Sequence, residues 1–342
     1  MDDPQALGKR KSEHIRINLE KDVRSSLTTG LDRLHFVNQA LPEFDLADVD
    51  TTQSLFGKKI AVPLLISSMT GGTPEAEQIN LRLAETAQEK FIALGLGSQR
   101  AALENSAAVG SFQVRHVAPD ILLFANLGAV QLNYGYTVEH CRRAVEMVEA
   151  DGLFLHLNAL QEALQPEGNT RFGGLLDKIE QVCKALPVPV IVKEVGWGIS
   201  GETARLLAAA GVAAVDVAGA GGTSWSQVEM HRMKDPRRAA IAAAFRNWGI
   251  PTAEAIRQVR QQAPELPVFA SGGLRDGIDA AKALALGATL TGIAGPFLKA
   301  ASQSQAAVSA LADEIINEMK IAMFACGAVN LTALKNIPLV EF

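Results

Sequence analysis

Eight short apolar runs, each followed by an amphipathic or alanine-rich segment, limit what this chain can become. They span residues 62–67, 92–96, 121–125, 153–157, 188–193, 214–218, 267–270 and 289–293. Runs that are apolar on both faces read as parallel strands covered by helices. Helical patterns fall between them, at 137–150, 173–185, 202–210 and 276–286, and Gly152, Gly211 and Gly287 are expected to close helices. Eight such units in 342 residues predict an α/β fold, a (β/α)8 TIM barrel. A doubly wound open sheet shows the same alternation. It would need a Gly-x-Gly-x-x-Gly after the first strand, whereas the glycine-dense Gly219-Ala-Gly-Gly222 follows the sixth. Residues 1–60 lie outside the repeat and read as an arm or lid packed on a barrel domain of 61–342. The connection after the sixth strand, from about 222 to 264, is long enough to be an insertion.

A barrel of this kind gathers its chemistry where the C-terminal strand ends converge. Every expected strand end here carries polar or glycine residues. The first is followed by Ser67-Ser-Met-Thr-Gly-Gly72, the second by Gly97-Ser-Gln-Arg100 and the third by Asn126-Leu-Gly128. The fourth leads into His156-Leu-Asn-Ala-Leu-Gln-Glu162, and the fifth ends in Lys193-Glu194. The last three give Gly219-Ala-Gly-Gly-Thr223, Ser271-Gly-Gly273 and Ala294-Gly295. Alternation along a strand puts His156 and Asn158 on one face, with Gln161 and Glu162 expected in the adjoining loop. Burying that much polarity unpaired costs roughly 1–3 kcal/mol per group, so a packed strand end has no use for it.

Glycines after strands seven and eight let backbone N–H groups approach an anion, at the usual phosphate site of this fold. Thr223 adds a hydroxyl. Lys193, closing an apolar strand, points into the mouth, where it can neutralise a reduced flavin or form a Schiff base. Glu162 is a candidate Mg²⁺ ligand, because Mg²⁺ takes one or two carboxylates plus substrate oxygens. Gly8-Lys-Arg-Lys-Ser-Glu-His14 concentrates three cations, and Arg100 offers a strand-end guanidinium. A lid closing Arg10 and Lys11 over an anionic substrate is consistent with both.

The net charge of −5 argues against nucleic acid as a partner, since that requires a basic face. Cys141, Cys183 and Cys326 form no C-x-x-C, so neither a zinc site nor a disulfide framework is expected and a reducing compartment fits. With no apolar leader and no run of ~18 apolar residues, a soluble, cytoplasmic protein without membrane association is expected.

The ordered set Arg10-Lys11, Glu13-His14, Ser68-Met-Thr-Gly-Gly72, Ser98-Gln-Arg100, Asn126, His156-Leu-Asn-Ala-Leu-Gln-Glu162, Lys193, Thr223, Gly272-Gly273 and Ala294-Gly295 resembles the type 2, flavin-dependent isopentenyl-diphosphate isomerases. The resemblance runs from Arg10 to Gly295, with a similar helical tail to about Ala328. It implies a barrel that binds FMN and needs Mg²⁺ and NADPH, interconverting isopentenyl and dimethylallyl diphosphate. It also implies assembly as a homotetramer or homo-octamer. Ser68, Met69, Thr70, Ser98, Asn126, Lys193, Thr223, Gly272, Gly273, Ala294 and Gly295 would line the FMN. Arg10, Lys11, Ser98, Gln99, Arg100, His156, Asn158 and Gln161 would hold the diphosphate substrate, and Glu162 the metal. His156 and Gln161 would be the catalytic residues, with reduced flavin as the acid and base, acting through its N5, and NADPH only keeping it reduced.

Other enzymes share the barrel. An FMN-dependent 2-hydroxy-acid oxidase needs a strand-end His-x-x-Arg, and His140–Arg143 falls in an expected helix. An inosinate-dehydrogenase-like enzyme needs a strand-end Cys, and none is present. A Schiff-base aldolase has no need of the segments 68–72 and 219–223. A non-catalytic flavin-storage protein has no need of polar groups at every strand end.

Overall fold

In a computed structural model the backbone is described for residues 4–341 and side chains for residues 10–341, so Lys9 of the basic stretch lies outside the described side chains. All eight expected strands form, as Leu64–Ile66, Ala93–Gly95, Leu123–Gly128, Gly152–His156, Val190–Lys193, Ala214–Asp216, Val268–Ala270 and Leu290–Ile293. They close into one parallel barrel, each strand pairing with its neighbours in sequence and the eighth with the first. Helices such as Pro74–Lys90, Val138–Met147, Leu175–Ala185 and Gly201–Ala209 cover it, and their buried Leu, Ile, Val and Ala side chains join the strands' outward faces in one continuous core. Inside the barrel Phe124, Phe154 and Phe269 interlock at centroid distances of 4.7–6.4 Å with Leu65, Ile191 and Leu290. The lower interior is therefore filled, and the barrel opens at its mouth.

The first sixty residues serve both ends of the barrel. The hairpin Gln53–Leu55 and Lys58–Ile60 plugs the bottom with Leu55, Phe56 and Ile60. Helix Pro4–Glu20 and the strap after it lie at the mouth, where Ser25 N–H donates to the Gly222 carbonyl and Ser224 N–H to that of Val23. The chain ends by pairing strand Leu339–Glu341 antiparallel to Leu34–Phe36, a contact no local pattern announces. Between residues 222 and 264 stand helices Trp225–Arg232, Pro236–Ala244 and Thr252–Gln262, of which the first two are the insertion.

Two local expectations are corrected. Gly211 and Gly287 do end helices in the left-handed region, but Gly152 opens the fourth strand, and Glu149 supplies the positive φ there instead. Gln161 and Glu162 sit on a short helix, Ala159–Leu164, whose start is Asn158, and not in an open loop. Among the described residues no helix is long and apolar enough to cross a membrane.

Candidate active site

The strand ends and the N-terminal arm enclose a cavity of about 780 Å³, within the range of small-molecule sites. It has two chemically different corners. The first is built from Gly272-Gly273 and Ala294-Gly295. Helix Gly277–Ala285 is closed to ligands, because Asp276 caps its first turn and Gly277 N–H donates to Glu318 Oε2 at 2.7 Å. Helix Gly295–Gln303 has no side-chain cap, and its first residues line the cavity. Its orphan N–H groups and dipole make that end the anion-accepting one. Ser67 Oγ and Ser68 Oγ, buried and lining the same cavity, have no hydrogen-bond partner among the described residues. Met69, Thr70, Ser98, Asn126 and Thr223 also line it, Thr223 Oγ1 lying 3.4 Å from Asn18 Oδ1.

The second corner is basic and carboxamide-rich. His156 ends the fourth strand and contacts Asn126 Oδ1 through Nδ1 at 2.8 Å. A carbonyl oxygen only accepts, so the ring proton sits on Nδ1. Burial, then the charges of Lys193, Lys11 and Arg10, push the His156 imidazole down to about 4, so it is neutral at working pH. Asn158 Nδ2 donates to Glu162 Oε1 at 2.9 Å and Gln161 Oε1 at 3.2 Å, while its own Oδ1 is buried without a partner among the described residues. Glu162 Oε2 accepts from Gln165 Nε2 and Asn169 N–H, each at 2.6 Å. Gln161 Nε2 donates to Glu229 Oε1 at 2.9 Å.

Helix Pro4–Glu20 lowers Arg10 and Lys11 into this corner. Lys11 Nζ donates to the Ser98 carbonyl at 2.8 Å and lies 5.0 Å from the Phe112 ring centroid. Among the described residues no carboxylate lies in ion-pair range of it. Burial, reinforced by neighbouring Arg10, lowers the Lys11 ammonium to about 7. Arg10 is lowered too, by burial and then by Arg232, with Glu162 opposing. Arg100 lines the cavity and its Nε donates to Glu104 Oε1 at 2.8 Å. Among the described residues, Lys11 is thus the cation of this corner that meets only a carbonyl and a ring face.

Gln99 corrects the expectation that it holds substrate. It is fully buried outside the cavity, donating from Nε2 to the Ala144 carbonyl at 2.8 Å and accepting Asn126 N–H at 2.9 Å. Its role is to fix the second and third strand ends, since leaving those groups unpaired would be costly. The other candidate residues, Glu162 among them, all line the cavity. Among the described residues no group of three His, Cys, Asp or Glu could hold a metal by itself.

Glu229, Arg232 and Asp216 were missed. Glu229 is fully buried and contacts His14 Nε2 at 3.3 Å and Arg232 Nη1 at 2.6 Å. Burial pulls its carboxyl upward, but the His14 contact and Arg232 outweigh that and hold it at about 2. The Glu229–Arg232 spacing of i, i+3 was a readable signal, on an insertion helix that had no assigned role. Asp216, a lone acid in Ala-Val-Asp-Val-Ala, was another. Trp225 meets His14 edge-on at 5.1 Å and walls the cavity, whereas Trp248 is exposed.

His140 and Arg143 lie on helix Val138–Met147, and none of the three cysteines lines the cavity. The oxidase-type and Cys-nucleophile arrangements are therefore absent among the described residues.

Residues 155–340 match the FMN-dependent dehydrogenase family. A protein of Synechocystis sp. called isopentenyl-diphosphate delta-isomerase is 57% identical over 331 residues, 96% of this chain and 95% of that one. Proteins of the same name from Nostoc sp. and Rickettsia africae are 54% and 50% identical, covering 96% and 95% of this chain and 94% and 95% of theirs. A crystal structure of mandelate oxidase with 3,3-difluoro-2-hydroxy-3-phenylpropionic acid shares the fold, with a TM-score of 0.67 at 19% identity over 99% of this chain and 98% of that one.

Proposed function

The chain belongs to the isopentenyl-diphosphate delta-isomerase family, in its flavin-dependent type 2 form, and from that premise we propose how the two corners divide the work. It is an isomerase that interconverts isopentenyl and dimethylallyl diphosphate, a 1,3-proton shift on an unactivated alkene with no net redox change. The observation that carries the substrate's orientation is the half-buried Lys11, which among the described residues has no carboxylate in ion-pair range, lining the same cavity as the uncapped helix Gly295–Gln303.

FMN fits the first corner. Its phosphate would take the N–H groups of Gly272, Gly273 and Gly295, and the unpartnered hydroxyls of Ser67 and Ser68 want a polar ligand. Ser98, Met69, Thr70, Asn126, Thr223 and Ala294 would line it, with Lys193 beside the ring. When bound and reduced, FMN supplies the proton-transfer group beside the alkene, and NADPH serves to keep it reduced. The chain's own residues do the rest. Arg10, Lys11, Ser98 and Arg100 clamp the diphosphate, giving remote binding energy that orients the alkene. Gln161, aimed by Glu229, and the neutral His156 and Asn158 form the polar wall. A neutral His156 with its proton committed to Asn126 suits orientation better than acid catalysis. Trp225 and the arm of residues 1–60, through its mouth-facing part, exclude water from a carbocation-like state. Glu162 gives Mg²⁺ one carboxylate, and the diphosphate would supply further oxygens. We assign the protein to the reducing cytoplasm, on its free cysteines, and to a homotetramer or homo-octamer, on its family membership alone.

The direct test is anaerobic: FMN-loaded protein with isopentenyl diphosphate, Mg²⁺ and NADPH, followed by NMR. Dimethylallyl diphosphate forms, and stops forming when the flavin is kept oxidised; flavin reduction by a 2-hydroxy acid without isomer would replace this reading. Glu162→Gln is expected to raise the Mg²⁺ concentration for half-maximal activity more than tenfold at constant flavin content, as removing one charged ligand costs about 1.5–3 kcal/mol. An unchanged Mg²⁺ titration removes the metal role. The pH dependence follows from Lys11. Binding an anion favours the ammonium, so the diphosphate raises its pKa and binding takes up a proton. Affinity is complete below the free-enzyme value and declines above it, so kcat/KM falls above about pH 7 while kcat holds to higher pH. Lys11→Arg should abolish that limb; a limb that persists belongs to another group.

A further inference from the structure

We propose that Asp216 is the positioning residue behind Lys193 that tempers the lysine's charge at the flavin and, through it, sets how readily the flavin is reduced. The inference rests on the reading above that Lys193 stands beside the ring. Lys193 and Asp216 are register partners on the fifth and sixth strands, which puts both side chains on the same face of the sheet. Lys193 and Ser271 line the cavity; Asp216 does not, and is fully buried behind them. Its Oδ1 accepts from Ser271 Oγ at 2.7 Å, and Ser271 Oγ in turn lies 3.4 Å from Lys193 Nζ. Its Oδ2 lies 3.3 Å from Nζ, in ion-pair range but without an aligned hydrogen bond, because the ammonium is turned to the Glu194 carbonyl at 2.9 Å.

A fully buried carboxylate is costly even when paired, and packed apolar side chains could fill the same space. This one stands among apolar neighbours, Val215 and Val217, at the rim and not in the filled interior. Its charge partly cancels that of Lys193. A flavin gains negative charge on reduction, and an ammonium beside it stabilises the reduced form. A carboxylate behind that ammonium weakens the effect and keeps the bound flavin strongly reducing.

The test measures the two-electron midpoint potential of the holoenzyme anaerobically for the parent and for Asp216→Asn, Lys193→Met and the double variant. Asp216→Asn is expected to shift the reduction equilibrium at least tenfold toward reduced flavin, about +30 mV for a two-electron couple. Lys193→Met moves it the other way, and the double variant matches Lys193→Met alone, since Asp216 acts through the lysine. Asp216→Glu, which keeps the charge, returns the potential toward the parent. If Lys193→Met lowers the potential and Asp216→Asn leaves it unmoved, the role of Asp216 is overturned while Lys193 keeps its place. If neither moves it, Lys193 is not beside the ring and both readings fall. Should Asp216→Asn give no folded holoprotein, the double variant is expected to recover it by removing the stranded ammonium; no recovery overturns the pairing.

Discussion

Replacing Arg10 and Lys11 together with Ala lowers kcat/KM for isopentenyl diphosphate about a thousandfold, mostly through KM, while flavin content stays near that of the parent. Each residue offers the diphosphate a charge-assisted contact of about 1.5–3 kcal/mol. Taking about 4 kcal/mol for the pair, at ~1.36 kcal/mol per tenfold, gives the thousandfold figure. Lys11 carries the larger share, because among the described residues its ammonium meets only the Ser98 carbonyl and the Phe112 ring face, whereas Glu162 and Glu167 lie near Arg10. Steady-state kinetics on the double and both single variants, with the flavin-to-protein absorbance ratio, checks this. Unaltered KM would return the basic stretch to the status of a solvated tail.

Gly272→Ala acts at the opposite corner and costs the protein its flavin. Gly272 has φ +100°, in the region that L side chains rarely adopt, and an added Cβ would meet the backbone of Gly219 and, at 2.7 Å, of Ala218. Backbone cannot swing aside as a side chain can, so the seventh and sixth strand loops must part. Left-handed strain and overpacking together cost about 3 kcal/mol. Displacing the cradle by as little as ~1 Å can cost on the order of a hundredfold at a positioned site. Flavin titration of the apoprotein should show at least that loss of affinity, and melting of the apoprotein a lowered Tm. Affinity within threefold of the parent would exclude the loop as the phosphate cradle.

The strands were legible because each is apolar on both faces, a pattern only a covered parallel sheet requires. The strand-end chemistry followed, since polar residues immediately after such a run have nowhere to go but the mouth. Gln99 shows where that argument fails. It stands between two cavity residues, Ser98 and Arg100, yet the turn into helix Arg100–Glu104 directs it into the protein, where two backbone groups needed a partner. Glu229 shows the converse. Its helix lies in an insertion far from the fourth strand in sequence, and only packing brings it to Gln161.

The barrel, its strand order and most of the residues around the cavity could be read along the chain, because hydrophobic periodicity and strand-end polarity are local properties. The tertiary structure alone decided the charge state of the site. Lys11 is shifted by burial against Arg10, His156 is neutralised by burial among cations, and Asp216 meets Lys193 across neighbouring strands. Desolvation and Coulomb coupling depend on what surrounds a group in space, and no spacing along the chain encodes that.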